Sequence, residues 1–183
     1  HVACGVTLIE RQFSGLVNLR GDANDAAFAT AVGRLFGCEL PRASNTWAAA
    51  DSAIVCWLAP DEWLVVTQPG AAASLVARLE ACLQTHDGAV NDLGAGHTII
   101  RVGGEYGRTM LSKGCTVDLD ARKFDVGCCA QSFIAKAPAL ILARTSGVVD
   151  VVVRRSFADY LLAWLRDAAN EYGAQCGVEE GGP

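Results

Sequence analysis

Charge is scarce in this chain. Asp, Glu, Lys and Arg make up 19% of its 183 residues, and the balance is acidic at −5. A nucleic-acid partner wants a basic face. No basic run, RNP motif or finger spacing occurs, so that class of function is set aside. Long apolar runs are missing too. No stretch approaches the ~20 residues that a membrane-spanning helix needs. The opening "HVACGVTLIERQ" lacks the basic region, apolar core and cleavage site of a secretory signal, so a cytoplasmic location is expected. Histidine is limited to His1, His86 and His97, and Cys-x-x-C is absent although there are eight cysteines. A closed zinc site needs four ligands, and these histidines make no ligand spacing with the cysteines. Cys38, Cys56 and Cys82 lie in apolar runs, where a thiol packs as a small hydrophobe. Reduced thiols are expected, with the adjacent pair Cys128–Cys129 as the one local oddity.

What the chain has in quantity is apolar residue, 51% of the total. That exceeds the need of one core, and the surplus points to an interface, because soluble monomers rarely expose large apolar patches. "TLIERQFSGLVNLRGDAND" reads as extended chain ending at a helix start. Asp22, Asn24 or Asp25 caps that helix, and Phe28, Val32, Leu35 and Phe36 fall on one face. Gly37 closes it in the left-handed position. "AIVCWL" and "EWLVVT" flank the turn "APDE" as a hairpin, and a helix opening at Pro69 carries Leu75, Leu79, Cys82 and Leu83. A glycine-rich loop, a strand and a short helix, "EYGRTMLSK", lead to Gly114. Three strands follow, with turns at Pro138 and Ser146–Gly147. The last helix has Phe157, Tyr160, Leu161, Trp164, Leu165 and Ala168 along one stripe, behind a capping box of Ser156 and Asp159.

Strand pairs followed by helices, twice over, predict an α+β fold with mixed or antiparallel sheets covered by helices. Residues 1–172 read as one domain, or as two pseudo-repeated lobes of about 1–88 and 89–172. Residues 173–183 read as a flexible tail.

The stretches that might carry chemistry are weak. "LSKGCTVDLD" holds Cys115, but a nucleophilic thiol needs a helix N-terminus, a histidine or clustered cations. Here a helix ends just before it, and Asp118 and Asp120 oppose Lys113. Gly114 is a natural helix stop, so the stretch reads as a turn with a packed thiol. Gly94, Gly96, Gly103 and Gly104 precede and follow a strand; a dinucleotide fingerprint would follow a strand and open a helix. His97 stands without a nucleophile, with Asp92 as its only nearby orienting candidate. Asp61–Glu62 reads as a solvated carboxylate pair in a turn. No catalytic, cofactor-binding or metal-ligating residue is assigned.

The order of motifs says more than any one of them. "APDEWLVV", "DLGAGHTIIRVGG", "LSKGCTVDLD", "GCCAQSFIAKAPALIL" and "VVVRRSFADYLLAWLRDAA" occur in that order. The chain thereby resembles the gamma subunits of heterotetrameric sarcosine oxidases over roughly residues 53–169. The first fifty residues match loosely, and Cys128 stands where an arginine or another polar residue is expected. A likeness to folate-dependent iron–sulfur maturation proteins stops at "SKGC", since "TVDLD" replaces the Gly-Gln-Glu that completes their motif.

The resemblance implies a non-catalytic structural subunit, similar to part of the folate-binding aminomethyltransferase fold. Its complex would oxidatively demethylate sarcosine to glycine, with hydrogen peroxide and formaldehyde or methylene-tetrahydrofolate as products. FAD, FMN, NAD, zinc and tetrahydrofolate are implied on the other subunits, with none on this chain. The alpha subunit is the implied main partner, alongside beta and delta. Two other readings stay open: a stand-alone folate-binding or one-carbon-transfer protein, and a thiol redox protein using Cys128–Cys129. Trp47, placed in a loop, is the candidate interface anchor, because aromatic side chains dominate binding hot spots.

Overall fold

Alternating apolar residues and punctuating glycines divide the chain into eleven strands and four α-helices in the computed structural model, which describes residues 4–50 and 52–179. In chain order they are β1 (Val6–Arg11), β2 (Gly15–Gly21), α1 (Ala26–Phe36), β3 (Trp47–Ala49), β4 (Ala53–Ala59), β5 (Glu62–Thr67), α2 (Ala72–Leu83) and β6 (Gly88–Asp92). Then come β7 (His97–Gly103), α3 (Gly107–Ser112), β8 (Cys129–Ile134), β9 (Ala137–Thr145), β10 (Val148–Arg154), α4 (Arg155–Ala168) and β11 (Ala174–Glu179). The chain forms two units, one of residues 13–95 and one of residues 4–12 with 96–179.

In the 13–95 unit a five-stranded sheet runs β3-β4-β5-β2-β6, every neighbour antiparallel. Helices α1 and α2 bury Phe28, Val32, Phe36, Leu75 and Leu79 against it. The start of α1 is set by Asp25, whose carboxylate accepts from Ala27 N–H at 2.8 Å. Its end is set by Gly37, at φ 70°, the left-handed conformation that costs glycine least. Trp63 is fully buried, and its indole N–H donates to the Pro41 carbonyl at 2.8 Å. The β4–β5 hairpin forms around Pro60 and Asp61, as the apolar runs on either side of "APDE" predict.

The other unit holds a six-stranded mixed sheet, β11-β1-β7-β10-β9-β8, parallel only between β11 and β1. One face packs on α3 and α4 through Val6, Leu8, Ile100, Val102, Val149, Val151, Leu161 and Leu165.

Several local expectations are corrected. The extended stretch before α1 is two strands in different units, broken at Phe13, which adopts φ 60°. The capping box at Ser156 is not formed: β10 runs straight into α4 through Arg154, which leaves Ser156 inside the helix and no side chain on the cap. Pro138 lies within β9, and the turn before it is made by Ala135, at φ 52°, and Lys136. The expected lobe boundary near residue 88 lies instead around residue 95, and residues 4–12 join the later unit. Of the tail expected to be flexible, Ala174–Glu179 form β11, paired in uninterrupted register with β1.

Candidate functional site

The segment 107–135 contains the stretch "LSKGCTVDLD" and answers how its residues are used. Helix α3 ends at Lys113 in ordinary helical conformation. Gly114 has no left-handed φ; it is glycine because a Cβ there would sit 2.5 Å from Trp164 Cζ2 of α4. The helix-stop reading of Gly114 therefore gives way to a packing reason. Its carbonyl accepts from Ala135 N–H at 2.8 Å, and Cys115 forms a single bridge to Ile134. Cys115 packs half-buried against the core.

Lys113 is committed elsewhere. Its ammonium donates to the Ala168 carbonyl at 2.6 Å, bonds Glu171, and lies 4.6 Å over the Tyr172 ring. The Glu171 carboxylate raises the lysine above its ordinary pKa and is itself lowered by the lysine, as expected of opposite charges in contact. The loop beyond Cys115 is stapled by Arg108, whose Nη1 donates to the carbonyls of Leu119 (2.9 Å) and Phe124 (2.7 Å). Asp118 and Asp120 are held below their usual range by Lys123 and Arg122 respectively.

The remaining candidates are likewise placed in structural contacts. Gly103 and Gly104 lie where β7 passes β1. A Cβ on Gly104, at φ 92°, would be 2.5 Å from the Gly5 carbonyl, and one on Gly103 would be 2.7 Å from Thr7 Oγ1. Close backbone approach explains these glycines without a phosphate. Asp92 accepts from Gly94 N–H at 2.8 Å and opens a 3₁₀ turn, while His97 pairs in register with Arg154. Glu62 is not simply solvated, because it accepts from Asn18 Nδ2 (2.8 Å) and Arg20 Nη2 (3.1 Å). Cys129 is fully buried in β8, whereas Cys128 packs half-buried on the helix-side core. Neighbouring strand residues point to opposite faces, and no disulfide forms among the described residues. Trp47 sits in β3 opposite Cys56 and is half-buried, not in a loop.

One constellation was missed in the sequence. Asp150, in the apolar strand "VVDVVVR", is only 2% exposed. Arg101 holds it with two bonds, from Nε at 2.8 Å and Nη2 at 3.0 Å, and Arg11 and Arg144 lie within 3.9 Å and 3.6 Å. Glu179 adds a second acid, 3.3 Å from Arg11 and 3.7 Å from Arg101. The contact with Asp150 raises the Arg101 pKa further. A lone aspartate inside an apolar strand was the available signal, since a buried carboxylate must be paired. The cluster ties β1, β7, β9, β10 and β11 together on the sheet face opposite the helices. Among the described residues no three His, Cys, Asp or Glu side chains gather to hold a metal ion, and the buried Thr98 hydroxyl donates to the Glu10 carboxylate at 2.9 Å, a contact that joins β7 to β1.

Comparison with known proteins supplies what this geometry does not. Residues 20–171 match the model of the sarcosine oxidase, gamma subunit family. The chain is 30% identical over 171 residues to the sarcosine oxidase subunit gamma of Corynebacterium sp. (strain P-1), spanning 93% of this chain and 83% of the relative. It is 32% identical over 176 residues to the subunit of that name from Arthrobacter sp, spanning 94% and 84%. The likeness thus reaches well outside residues 53–169. Among solved structures, the heterotetrameric sarcosine oxidase from Corynebacterium sp. U-96 in complex with pyrrole 2-carboxylate matches with a TM-score of 0.85 at 29% identity, over 93% of this chain and 86% of that chain. The glycine cleavage system aminomethyltransferase T from Bartonella henselae shares the fold, with a TM-score of 0.69 at 12% identity, over 97% of this chain and 49% of the other. With the family model spanning most of the chain, and relatives aligned along nearly all of it, the chain belongs to the sarcosine oxidase gamma subunit family.

Proposed function

We propose that this chain is the supporting gamma subunit of a heterotetrameric complex that oxidatively demethylates sarcosine to glycine in the cytoplasm. The observation that carries the reading is the match to a chain of a heterotetrameric sarcosine oxidase along 93% of the sequence. The candidate side chains are consistent with it, because each is occupied in holding the fold. In this reading the chemistry, which yields hydrogen peroxide and formaldehyde or methylene-tetrahydrofolate, takes place on other subunits. FAD, FMN, NAD, zinc and tetrahydrofolate are bound there, and the alpha subunit is the main contact, with beta and delta completing the assembly. A stand-alone folate site is disfavoured by size. This chain spans 49% of the aminomethyltransferase it matches, and a small-molecule site normally encloses most of its ligand.

The test is co-expression of the tagged chain with its neighbouring genes, followed by mass and visible spectrum of what elutes. A large yellow complex that oxidises sarcosine is expected. A colourless 19.2 kDa monomer that takes up tetrahydrofolate overturns the reading. Trp47 serves as an interface anchor, so Trp47→Ala weakens recovery of the partners while leaving the isolated chain folded.

A further inference from the structure

We propose that the outer edge of β11 receives an extended strand from another subunit of the complex, continuing the six-stranded sheet; this rests on the subunit role above. Strand β11 lies at the end of the sheet, and all six of its residues are exposed. Val178 is 55% exposed. Burial of its own side chains therefore does not hold it in place.

Polar devices hold it instead, at both ends. At the start, Gly5 N–H donates to the Tyr172 (3.0 Å) and Gly173 (3.1 Å) carbonyls, Tyr172 stacks on Tyr106 with ring centres 4.9 Å apart, and Lys113 bonds the adjacent Glu171. At the far end, Arg11 and Arg101 grip Glu179. The carbonyls of Gly173 and Glu179 face β1, accepting from Val6 N–H at 3.1 Å and Gln12 N–H at 3.3 Å. Strand alternation then turns the N–H and C=O groups of Ala174, Cys176 and Val178 outward. A row of this kind, unpaired among the described residues, is a template for another strand.

Natural sheets guard their free edges, and the other edges here are guarded. Strand β3 is three residues long, β6 ends in Asn91 and Asp92, and β8 is capped by the Cys115–Ile134 bridge. "AQCGV" has no lysine, proline or bulge that would repel a neighbour. The occupant's chemistry follows from the side chains flanking the edge. Ala174 and Cys176 pair with Val6 and Leu8, which face the helices, Val178 follows on the same face beside Glu10, and Gln175, Gly177 and Glu179 occupy the opposite face. The incoming strand alternates to match, with apolar residues beside Ala174, Cys176 and Val178 and a lysine or arginine beside Glu179. A second copy of this chain is a poorer fit, since each copy carries a net charge of −5.

The experiment is amide exchange across residues 173–179 in the isolated chain and in the assembled complex, together with the Cys176→Pro variant. Proline removes only an outward N–H and is tolerated at a free edge. In the isolated chain the inward amides exchange slowly and the outward ones fast. On assembly the outward amides also become slow, and Cys176→Pro weakens assembly by about tenfold or more, whereas Cys176→Ser leaves it unchanged. Unchanged exchange on assembly, or full assembly by Cys176→Pro, overturns the proposal while leaving the subunit role intact. Protection that grows with the concentration of this chain alone means self-pairing and overturns it equally. If no complex forms at all, the subunit role fails first and this proposal with it.

Discussion

The two units repeat one order of elements and differ in a single strand. Residues 13–95 run strand, helix, three-strand meander, helix, strand: β2, α1, β3–β5, α2, β6. The later unit repeats this as β7, α3, β8–β10, α4, β11. In the first, the closing strand β6 pairs beside β2. In the second, the matching place beside β7 is taken by β1 from the start of the chain, so β11 becomes a sixth strand at the edge. The units also fill their cores differently. Phe28 and Trp63 meet at 6.2 Å between ring centres in the first, where Phe36 is buried as well. The second packs mainly Val, Leu, Ile and Ala and adds the buried Asp150 cluster. β6 reaches its core through Val90 alone. β11, with every side chain exposed, is held by charges and rings at its two ends.

That contrast can be broken from the aromatic side first. Trp63→Ala removes the largest fully buried side chain and leaves the Pro41 carbonyl without its indole donor. It is expected to cost about 3–5 kcal/mol, read as a lowered denaturation midpoint. A loss below 1 kcal/mol would mean the core of residues 13–95 does not depend on its aromatics.

The aliphatic unit is tested more gently at Gly114. Gly114→Val drives a side chain into Trp164 and costs about 1–3 kcal/mol, with a change in Trp164 fluorescence. Combining it with Trp164→Leu recovers part of that loss, because the two positions touch. Strict additivity of the two changes would show that the close approach does not matter.

The smallest effect concerns acid. Asp25 is held below its ordinary value of 3.8, first by the Ala27 and Phe28 N–H groups and then by His86. A carboxylate with a lowered folded pKa contributes stability that is full above its ordinary value and is lost as pH falls through the folded value. Wild type is therefore expected to lose thermal stability below about pH 4 with an increment that Asp25→Ala lacks. Parallel melting curves of the two proteins from pH 6 to pH 3 would show that the cap adds nothing to this unit.

Much of the fold was legible because its signals are local. Asp25 and Gly37 bracket α1, two apolar runs around "APDE" make the β4–β5 hairpin, and the stripe through Leu161 and Leu165 makes α4 amphipathic. Where local rules conflicted with continuity, continuity won. Ser156 had a capping partner in sequence, but β10 leads directly into the helix and needs no cap side chain. Trp47 looked like loop because its polar flanks hide a three-residue strand. Of the site, the sequence showed candidate residues one at a time. Asp92, Asp118 and Asp120 are bonded within a few residues, but what Lys113 and Glu62 are bonded to, Glu171 and Asn18, lies far along the chain.

The sequence by itself determined the α+β class, most helices and strands, and membership of a family through the order of its motifs, since periodicity and turn chemistry act over a few residues. Only the tertiary structure decided that β1 sits between β7 and β11, that Asp150 is buried among arginines, and that Gly114 is small for Trp164. Apart from Arg144 beside Asp150, these depend on residues 49 or more positions apart, such as Arg101 and Asp150, and the chain carries no local mark of which distant partner will arrive.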